Sequence, residues 1–168
     1  MPTPQPFTPS FSLLTPPPTP SPAIATLLAT LNLQPHPEGG FFSETDRDPL
    51  LIPSPFTPST TTTTHRPGFK PALRNASTSI FYLLTPSSPQ GHFHRNQSRT
   101  VHTLHRGRGR YVVIHPPTTT GGAARVETFV VGGDVAAGER LQWVGLLISE
   151  TVVPGFEYED HEFLTRGG

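Results

Sequence analysis

The chain has 168 residues with 22 prolines, and its 12 basic residues are balanced by 12 acidic ones. The length suits a single domain, and the zero net charge excludes a strong overall field for nucleic acid or an anionic membrane surface. The lack of cysteine excludes a disulfide framework, a thiolate nucleophile and a cysteine zinc site, which fits a reducing compartment. Histidine, with 8 residues, is the soft ligand present in quantity.

Residues 1–20 are rich in proline, serine and threonine, and such a composition buries too little apolar surface to offset the entropy of ordering. We predict a disordered tail here, followed by one domain at residues 21–168. The prolines interrupt every apolar run, and the first basic residue is Arg47, so neither a targeting signal nor a membrane span is expected. We therefore predict a soluble cytoplasmic protein.

A short helix is predicted directly after the tail. Ser21 offers a hydroxyl for the N-cap, and Pro22 suits the first helical position. One apolar stripe follows at helical spacing, formed by Ile24, Leu27, Leu28 and Leu31. The pattern predicts a helix that ends near Asn32 and packs against the main body.

The segment after the helix predicts a turn, a strand and an insertion. Two prolines and a Gly-Gly pair precede the predicted strand Phe41–Thr45. Residues 46–68, with Thr60–Thr64 in one block, lack any apolar period. We predict a loose Thr/Pro-rich insertion there.

Short runs of β-type residues, separated by Gly, Pro, Ser and Asn, make up the rest of the chain. The predicted strands are Ser79–Thr85, Thr100–Leu104, Arg110–His115, Arg125–Val131 and Leu146–Val153. Strands at this spacing, with no helix between them, predict a mainly β protein built as an antiparallel sandwich or barrel.

Two charged runs are open to two interpretations each. Arg106–Arg110 looks like a basic RNA-binding fragment, but it is short and lies between predicted strands, so a hairpin turn with exposed arginines is favoured. Glu157–Glu162 is dense in carboxylates that could bind a cation, but a solvated charged face is favoured.

The most informative polar pattern is His92-Phe93-His94. In a strand, residues two positions apart point to the same face, so both imidazoles are predicted to enter the barrel interior. His102 and His105 follow on the next strand and are candidates for the same ligand. Polar surface and hydrogen-bonded core remain alternatives, and we predict no metal and no cofactor.

Four blocks of the sequence, taken in order, resemble one family of the cupin superfamily, which has the RmlC-like jelly roll and is catalogued as domain of unknown function 985. The blocks are Gln34–Thr45, Ser77–Leu84, Gly91–Arg95 and Val153–Tyr158. The resemblance implies a double-stranded β-helix (jelly roll), often dimeric, with a polar cavity in the barrel mouth. It matches His92 and His94 to the first cupin motif, and Glu44 to a carboxylate near the cavity.

The sequence departs from the cupin pattern in two places. Metal-binding cupins have a Glu a few residues after the two histidines, whereas residues 95–100 contain Arg95 and Arg99 and no carboxylate. Near Val144 and Gly145, about twenty residues with the strand of the second cupin motif are missing, and one glycine is too short for a hairpin turn of about two residues. A removed exon or a gene-model error explains the gap, so we expect one strand hairpin to be absent.

Three functions are compatible with these features. The first is binding of a small sugar-like or nucleotide-like ligand in the barrel, with contacts from His92, His94, Arg95, His102 and Glu44. The second is an isomerase or epimerase in which His92 or His94 acts as the base, assisted by Glu44 or Tyr82. The third is an inactive, truncated variant. We expect a homodimer with a small-molecule ligand and neither nucleic acid nor membrane as a partner.

Overall fold

The computed structural model describes residues 19–57, 66–118, 122–132 and 145–164. These ranges contain one α-helix, α1 (Pro22–Thr30), one 3-10 turn (Tyr158–Asp160) and ten strands. The strands are β1 (Gln34–Pro35), β2 (Phe41–Arg47), β3 (Leu51–Pro53), β4 (Leu73–Asn75), β5 (Thr78–Leu84), β6 (His94–Asn96), β7 (Arg99–His115), β8 (Arg125–Gly132), β9 (Leu146–Val153) and β10 (His161–Phe163).

Helix α1 begins as the sequence predicts. The Ser21 side chain accepts a hydrogen bond from the Ile24 backbone N–H at 3.4 Å, and Pro22 is the first helical residue. The helix ends at Thr30, and the chain then turns at Asn32, whose φ of 50° lies in the left-handed region that Asn tolerates. The predicted helix is therefore confirmed, with its end slightly earlier than expected.

The main sheet has the strand order β1-β2-β5-β9-β7-β8, and all neighbours are antiparallel. This confirms the predicted mainly β, antiparallel fold. Strands β2, β5, β8 and β9 lie within two residues of their predicted bounds. Two further antiparallel pairs, β3 with β4 and β6 with β10, lie outside this sheet.

Strand β7 corrects the prediction of two strands joined by a turn at Arg106–Arg110. Its first half pairs with β9 up to Gly107, and its second half pairs with β8 from Arg108 onward. A register shift lies between Leu104 and Arg106, and Gly107 has a φ of 90°. The glycines therefore form a corner inside one 17-residue strand instead of a hairpin loop.

The two faces of the sheet carry different side chains because neighbouring residues of a strand point to opposite sides. On one face, Leu83 and Leu147 pack with Ile24 of α1 and with Leu33 into a buried cluster. On the other face, Tyr82 and its neighbours form a second cluster with Leu146, Ile148, Ile80, Leu84 and Leu104. The second face is concave and carries the polar residues described below.

Three carboxylates of the acidic run, Glu157, Glu159 and Asp160, are buried, which contradicts the predicted solvated face, and of the carboxylates in this run Glu162 alone is exposed. Asp160 is 3% exposed and forms a two-point ion pair with Arg74, at 2.6 Å to Nε and 2.8 Å to Nη2. Glu157, also 3% exposed, accepts hydrogen bonds from Arg47 and Arg66. Arginines from three separate segments thus neutralise the carboxylates, and this makes their burial tolerable.

The predicted insertion at residues 46–68 contains more regular structure than expected. Asp46 and Arg47 complete β2, and Leu51–Pro53 pairs with Leu73–Asn75. Two predicted segments fall outside the described residues: the Thr60–Thr64 block and almost all of the tail at residues 1–20. The residues before Gly145, where the sequence predicts that a hairpin is missing, also fall outside them. Within the described ranges, no helix combines the length and the hydropathy needed to cross a lipid bilayer.

Candidate functional site

Glu38 lies in a tight turn that leads into β2. The next two residues, Gly39 and Gly40, have φ angles of 94° and 69°, which favour glycine, and a Cβ on Gly39 would collide with the backbone oxygen of Gln90. The His92 backbone N–H donates to the Glu38 carbonyl at 2.6 Å, and the Tyr82 hydroxyl donates to the Gly39 carbonyl at 2.9 Å. The turn is thereby fixed against the segment that carries the H-x-H motif.

Two histidines converge on the Glu38 carboxylate. His161 Nε2 lies 2.6 Å from Oε1, and His94 Nδ1 lies 3.1 Å from Oε2. Strands β6 and β10 pair so that His94 lies opposite Phe163 and His161 lies opposite Asn96. The His94 and His161 rings stack with centroids 5.0 Å apart. We call Glu38, His94 and His161 the Glu38 cluster.

The Glu38 cluster keeps its carboxylate ionised although it is largely buried. Burial acts to raise the pKa of Glu38, but the His161, His94 and His36 imidazoles together hold that pKa below its usual value. His36 itself is neutral near pH 7, because burial lowers its pKa and its Nδ1 accepts the Glu38 backbone N–H at 3.1 Å. The cluster therefore combines an anionic oxygen with imidazole nitrogens.

A second polar group lies on the concave face of the sheet. His102 of β7 is the direct pairing partner of Glu150 of β9, and His102 Nε2 lies 3.6 Å from Glu150 Oε2. His102 Nδ1 lies 2.9 Å from the Tyr111 hydroxyl oxygen. We call His102, Tyr111 and Glu150 the Glu150 triad.

Burial shifts the pKa of all three members of the triad. It raises the pKa of the Glu150 carboxyl to about 7, with a further contribution from the negative charge of Glu38. It lowers the pKa of His102, with the His94 charge adding to this effect. The pKa of Tyr111 rises to about 12 through burial and the Glu150 charge. The triad thus holds a carboxyl group that exchanges protons near neutral pH beside a neutral imidazole.

Two members of the triad, His102 and Tyr111, line an open cavity of about 400 Å³, whereas Glu150 is not among its lining residues. Its lining residues are Thr100, His102, Leu104, Tyr111, Phe129, Val131 and Ile148. The Tyr111 and Phe129 rings stack face to face, with centroids 5.2 Å apart and an interplanar angle of 3°. One wall is therefore aromatic and apolar, while His102 and the Tyr111 hydroxyl provide polar contacts.

The structure separates several residues that the sequence predicts to act together. His92 precedes β6, and its ring lies against Phe163, 6.3 Å between centroids, whereas His94 belongs to the Glu38 cluster. The side chains of Glu44 and Arg95 pair near the surface with Arg47 and Glu162, respectively. Tyr82 is buried beneath the Glu38 turn, and its pKa is raised by burial and by the Glu38 and Glu150 charges. Of the predicted site residues, His94 belongs to the Glu38 cluster and His102 belongs to the Glu150 triad.

Four residues of the two groups were not predicted as site residues: Glu38, Tyr111, Glu150 and His161. The alternation of β9 could have identified Glu150, because it shares a face with Ile148 and Val152. Glu38 lies in the Pro-Glu-Gly-Gly turn, but sequence alone does not say that the turn folds towards His94. His161 lies in the run Glu157–Glu162, whose carboxylates favour a prediction of solvated surface.

Together, the antiparallel jelly-roll sheet and its concave face lined with histidine and carboxylate side chains define a cupin-like protein. The profile of the family described as cupin superfamily (DUF985) matches residues 25–144, so the chain belongs to this family.

Three proteins from other organisms are similar to this chain. An uncharacterized protein of Saccharomyces cerevisiae is 38% identical over 177 residues, which cover 93% of this chain and 82% of the relative. A hypothetical protein from Leishmania major has a similar structure, with 27% identity, a TM-score of 0.56 and coverage of 84% and 86% of the two chains. A crystal structure of a protein from Shewanella oneidensis gives 25% identity, a TM-score of 0.53 and 83% coverage of each chain.

The yeast alignment is longer than this chain, 177 against 168 residues, so it includes positions that this chain lacks. The yeast and Leishmania proteins are described as uncharacterized and hypothetical. Membership of the family therefore establishes the fold, and the function has to be argued from the site.

Proposed function

We propose that this protein binds a small, polar, ring-shaped molecule of the sugar or nucleotide kind in the cavity lined by His102 and Tyr111. The observation that carries the proposal is the contact between His102 and Tyr111 on the cavity wall, next to the stacked Tyr111–Phe129 pair. Ligand sites usually combine apolar and aromatic walls with a few converging polar groups.

The chemistry of the wall suits a ring with hydroxyl or amide substituents. The Phe129 ring, 47% exposed as a residue, offers a flat face for stacking on a sugar or a base. His102 and Tyr111 offer hydrogen-bonding atoms at the edge of that face. The volume of about 400 Å³ is within the roughly 300–1,000 Å³ common for small-molecule pockets.

The experiment is a thermal-shift screen with monosaccharides, nucleoside phosphates and nucleotide sugars. A compound that binds the folded state raises the melting temperature as its concentration exceeds its dissociation constant. We expect at least one class to do so and His102→Ala and Phe129→Ala to weaken the response. His105→Ala is the matched control, because its imidazole lies on the same strand but contacts Ser149 and Phe81 on the opposite face. A silent panel, or shifts that are equal in all variants, would contradict the proposal.

A second candidate function, isomerase-type proton transfer, is favoured by the triad itself. A base that titrates near neutral pH can remove a proton from the carbon beside a carbonyl and return it to the opposite face of the resulting enolate. Glu150 has the required pKa and lies beside His102, which lines the cavity and would pass the proton between Glu150 and a ligand. This assigns the acid–base role to Glu150 and His102, where the sequence suggested His92 or His94.

This candidate is tested by incubating keto-sugar ligands from the screen with the protein in D₂O and following deuterium incorporation by NMR. We expect exchange at one carbon-bound position and a loss of ~100-fold or more in Glu150→Gln, a size typical of general acid–base groups. The His105→Ala control keeps the wild-type rate. Binding without any exchange would leave the protein as a non-catalytic binder and would exclude the isomerase.

A further inference from the structure

We propose that the Glu38 cluster binds one divalent first-row transition-metal ion through Glu38, His94 and His161. This inference does not rest on the proposed ligand cavity, whose residues are different. The sequence predicts no metal, and of the H-x-H pair only His94 belongs to this cluster.

The three side chains are close enough to share an ion. One ring nitrogen from each histidine and one carboxylate oxygen all lie within 4.8 Å of one another. Two ligands that each lie about 2.0–2.2 Å from one ion are roughly 3–4 Å apart. Small rotations of these side chains are therefore sufficient to bring all three donor atoms onto one ion.

His161 provides the second, independent observation. Its side chain is 7% exposed, and its Nε2 atom makes no well-directed hydrogen bond with any part of the chain that the structure describes. The 2.6 Å approach to Glu38 Oε1 is a close ionic contact without the alignment of a hydrogen bond. A buried nitrogen whose contact is poorly directed is costly, and an ion between it and the carboxylate would give both atoms a well-directed contact.

His94 Nδ1 lies 3.1 Å from Glu38 Oε2 and donates to the His92 carbonyl oxygen at 2.9 Å. In the neutral ring this leaves the lone pair on Nε2, so the ring has to turn for Nε2 to face an ion beside Glu38. Metal ligands commonly donate the other ring N–H to a backbone carbonyl or a carboxylate, because that contact fixes the tautomer and the ring orientation. The Glu38 turn is itself fixed by the His92 backbone N–H.

The donor set decides the class of ion. Two imidazoles and one carboxylate suit Zn²⁺, Fe²⁺, Co²⁺, Ni²⁺ or Mn²⁺. Ca²⁺ and Mg²⁺ prefer oxygen ligands throughout and are disfavoured here. With three ligands from the protein, the remaining coordination positions stay open to water or a small molecule.

The test uses untagged full-length protein, freed of metal by chelation and titrated with Co²⁺ and Zn²⁺. Co²⁺ is followed by its visible absorption, and Zn²⁺ by calorimetry. We expect one equivalent of each ion to bind. Affinity should fall ~100-fold or more in Glu38→Gln and His161→Ala, which each lose a direct ligand. The His92→Ala variant is the matched control, because it removes the neighbouring imidazole of the H-x-H motif and should bind as the wild type does.

Glu38→Gln keeps the size of the side chain, so a loss of binding in a variant that still melts cooperatively cannot be attributed to unfolding. Two results would overturn the proposal. One is the absence of saturable binding at one equivalent in the wild type. The other is binding that is lost in His92→Ala and kept in His161→Ala, because that pattern would assign the ion to a different set of histidines.

Discussion

His102 and Tyr111 lie nine positions apart on one strand, yet they are joined by a 2.9 Å contact between Nδ1 and the hydroxyl oxygen. A straight strand advances about 3.3 Å per residue and would place their backbones roughly 30 Å apart. The contact exists because β7 bends sharply between its β9-paired half and its β8-paired half. The register shift after Leu104 also brings Tyr111 to the same face as His102, since without it an odd separation would put them on opposite faces.

Gly107 lies at this corner with a φ of 90°, so Gly107→Ala should strain the bend. We expect the free energy of unfolding to fall by about 1–2 kcal/mol, the usual cost of a left-handed conformation for a residue with a Cβ, and the ligand response to weaken. Chemical denaturation and the thermal-shift screen measure the two effects. Gly68→Ala is the control: Gly68 has a φ of 78° with open space around it and is remote from the cavity, so stability should fall while the response stays. If the ligand raises the melting temperature of Gly107→Ala as much as that of the wild type, the corner is not needed to shape the cavity.

The raised pKa of Glu150 predicts how stability depends on pH. The folded state binds this proton more tightly than the unfolded state, so the contribution is present below about pH 4.5 and is lost as pH rises towards about 7. One pKa unit corresponds to about 1.4 kcal/mol, so the effect amounts to a few kcal/mol. Glu150→Gln should therefore flatten the decline of the melting temperature over this range, and Glu44→Gln, at an exposed carboxylate, should not. Parallel curves for wild type and Glu150→Gln would refute the assignment.

The Arg74–Asp160 pair is buried at both ends, with side chains 2% and 1% exposed. Asp160→Asn leaves a buried guanidinium without its counter-charge, so we expect a loss of about 3–5 kcal/mol. Equilibrium denaturation measures it. Glu162→Gln is the comparison, because the Arg95–Glu162 pair is 76% and 58% exposed. Exposed pairs contribute about 0–1 kcal/mol. Similar losses in the two variants would therefore contradict a larger contribution of the buried Arg74–Asp160 pair to stability.

Leu83 is completely buried between the sheet and α1. Leu83→Ala should reduce the free energy of unfolding by about 2–5 kcal/mol, because it removes apolar contacts and leaves a cavity. Leu50→Ala, at a residue that is 61% exposed, should change it by less than about 0.5 kcal/mol.

The unfolding curve of the wild type also tests the inactive-variant hypothesis, which requires a wild-type chain without a cooperative unfolding transition.

The fold was predictable where one local signal dominates. The Ser21-Pro22 start of α1 and the apolar β9 run needed only capping chemistry and β propensity. The continuity of β7 was not predictable, because three glycine-separated arginines usually indicate a turn. The arginines lie in a continuous strand because they pair with β8 and β9, which are distant in the sequence.

The site was predictable only in part, for a similar reason. The alternation argument for His92 and His94 requires both to lie in a strand, and β6 begins at His94. His161 and Glu38 are brought to His94 by the β6–β10 pairing and by the Glu38 turn, which link residues far apart in sequence. The homodimer and the cytoplasmic location stay predictions.

The arginine-bound acidic segment has a consequence for proteolysis. Arg47, Arg66 and Arg74 help to hold the described residues after β9, 154–164, and this segment delivers His161 to Glu38. A protease cut behind Val153 would leave Arg74 buried without a counter-ion and would remove one imidazole from the Glu38 cluster. Loss of the residues behind Val153 would thus disturb both the buried ion pairs and the Glu38 cluster.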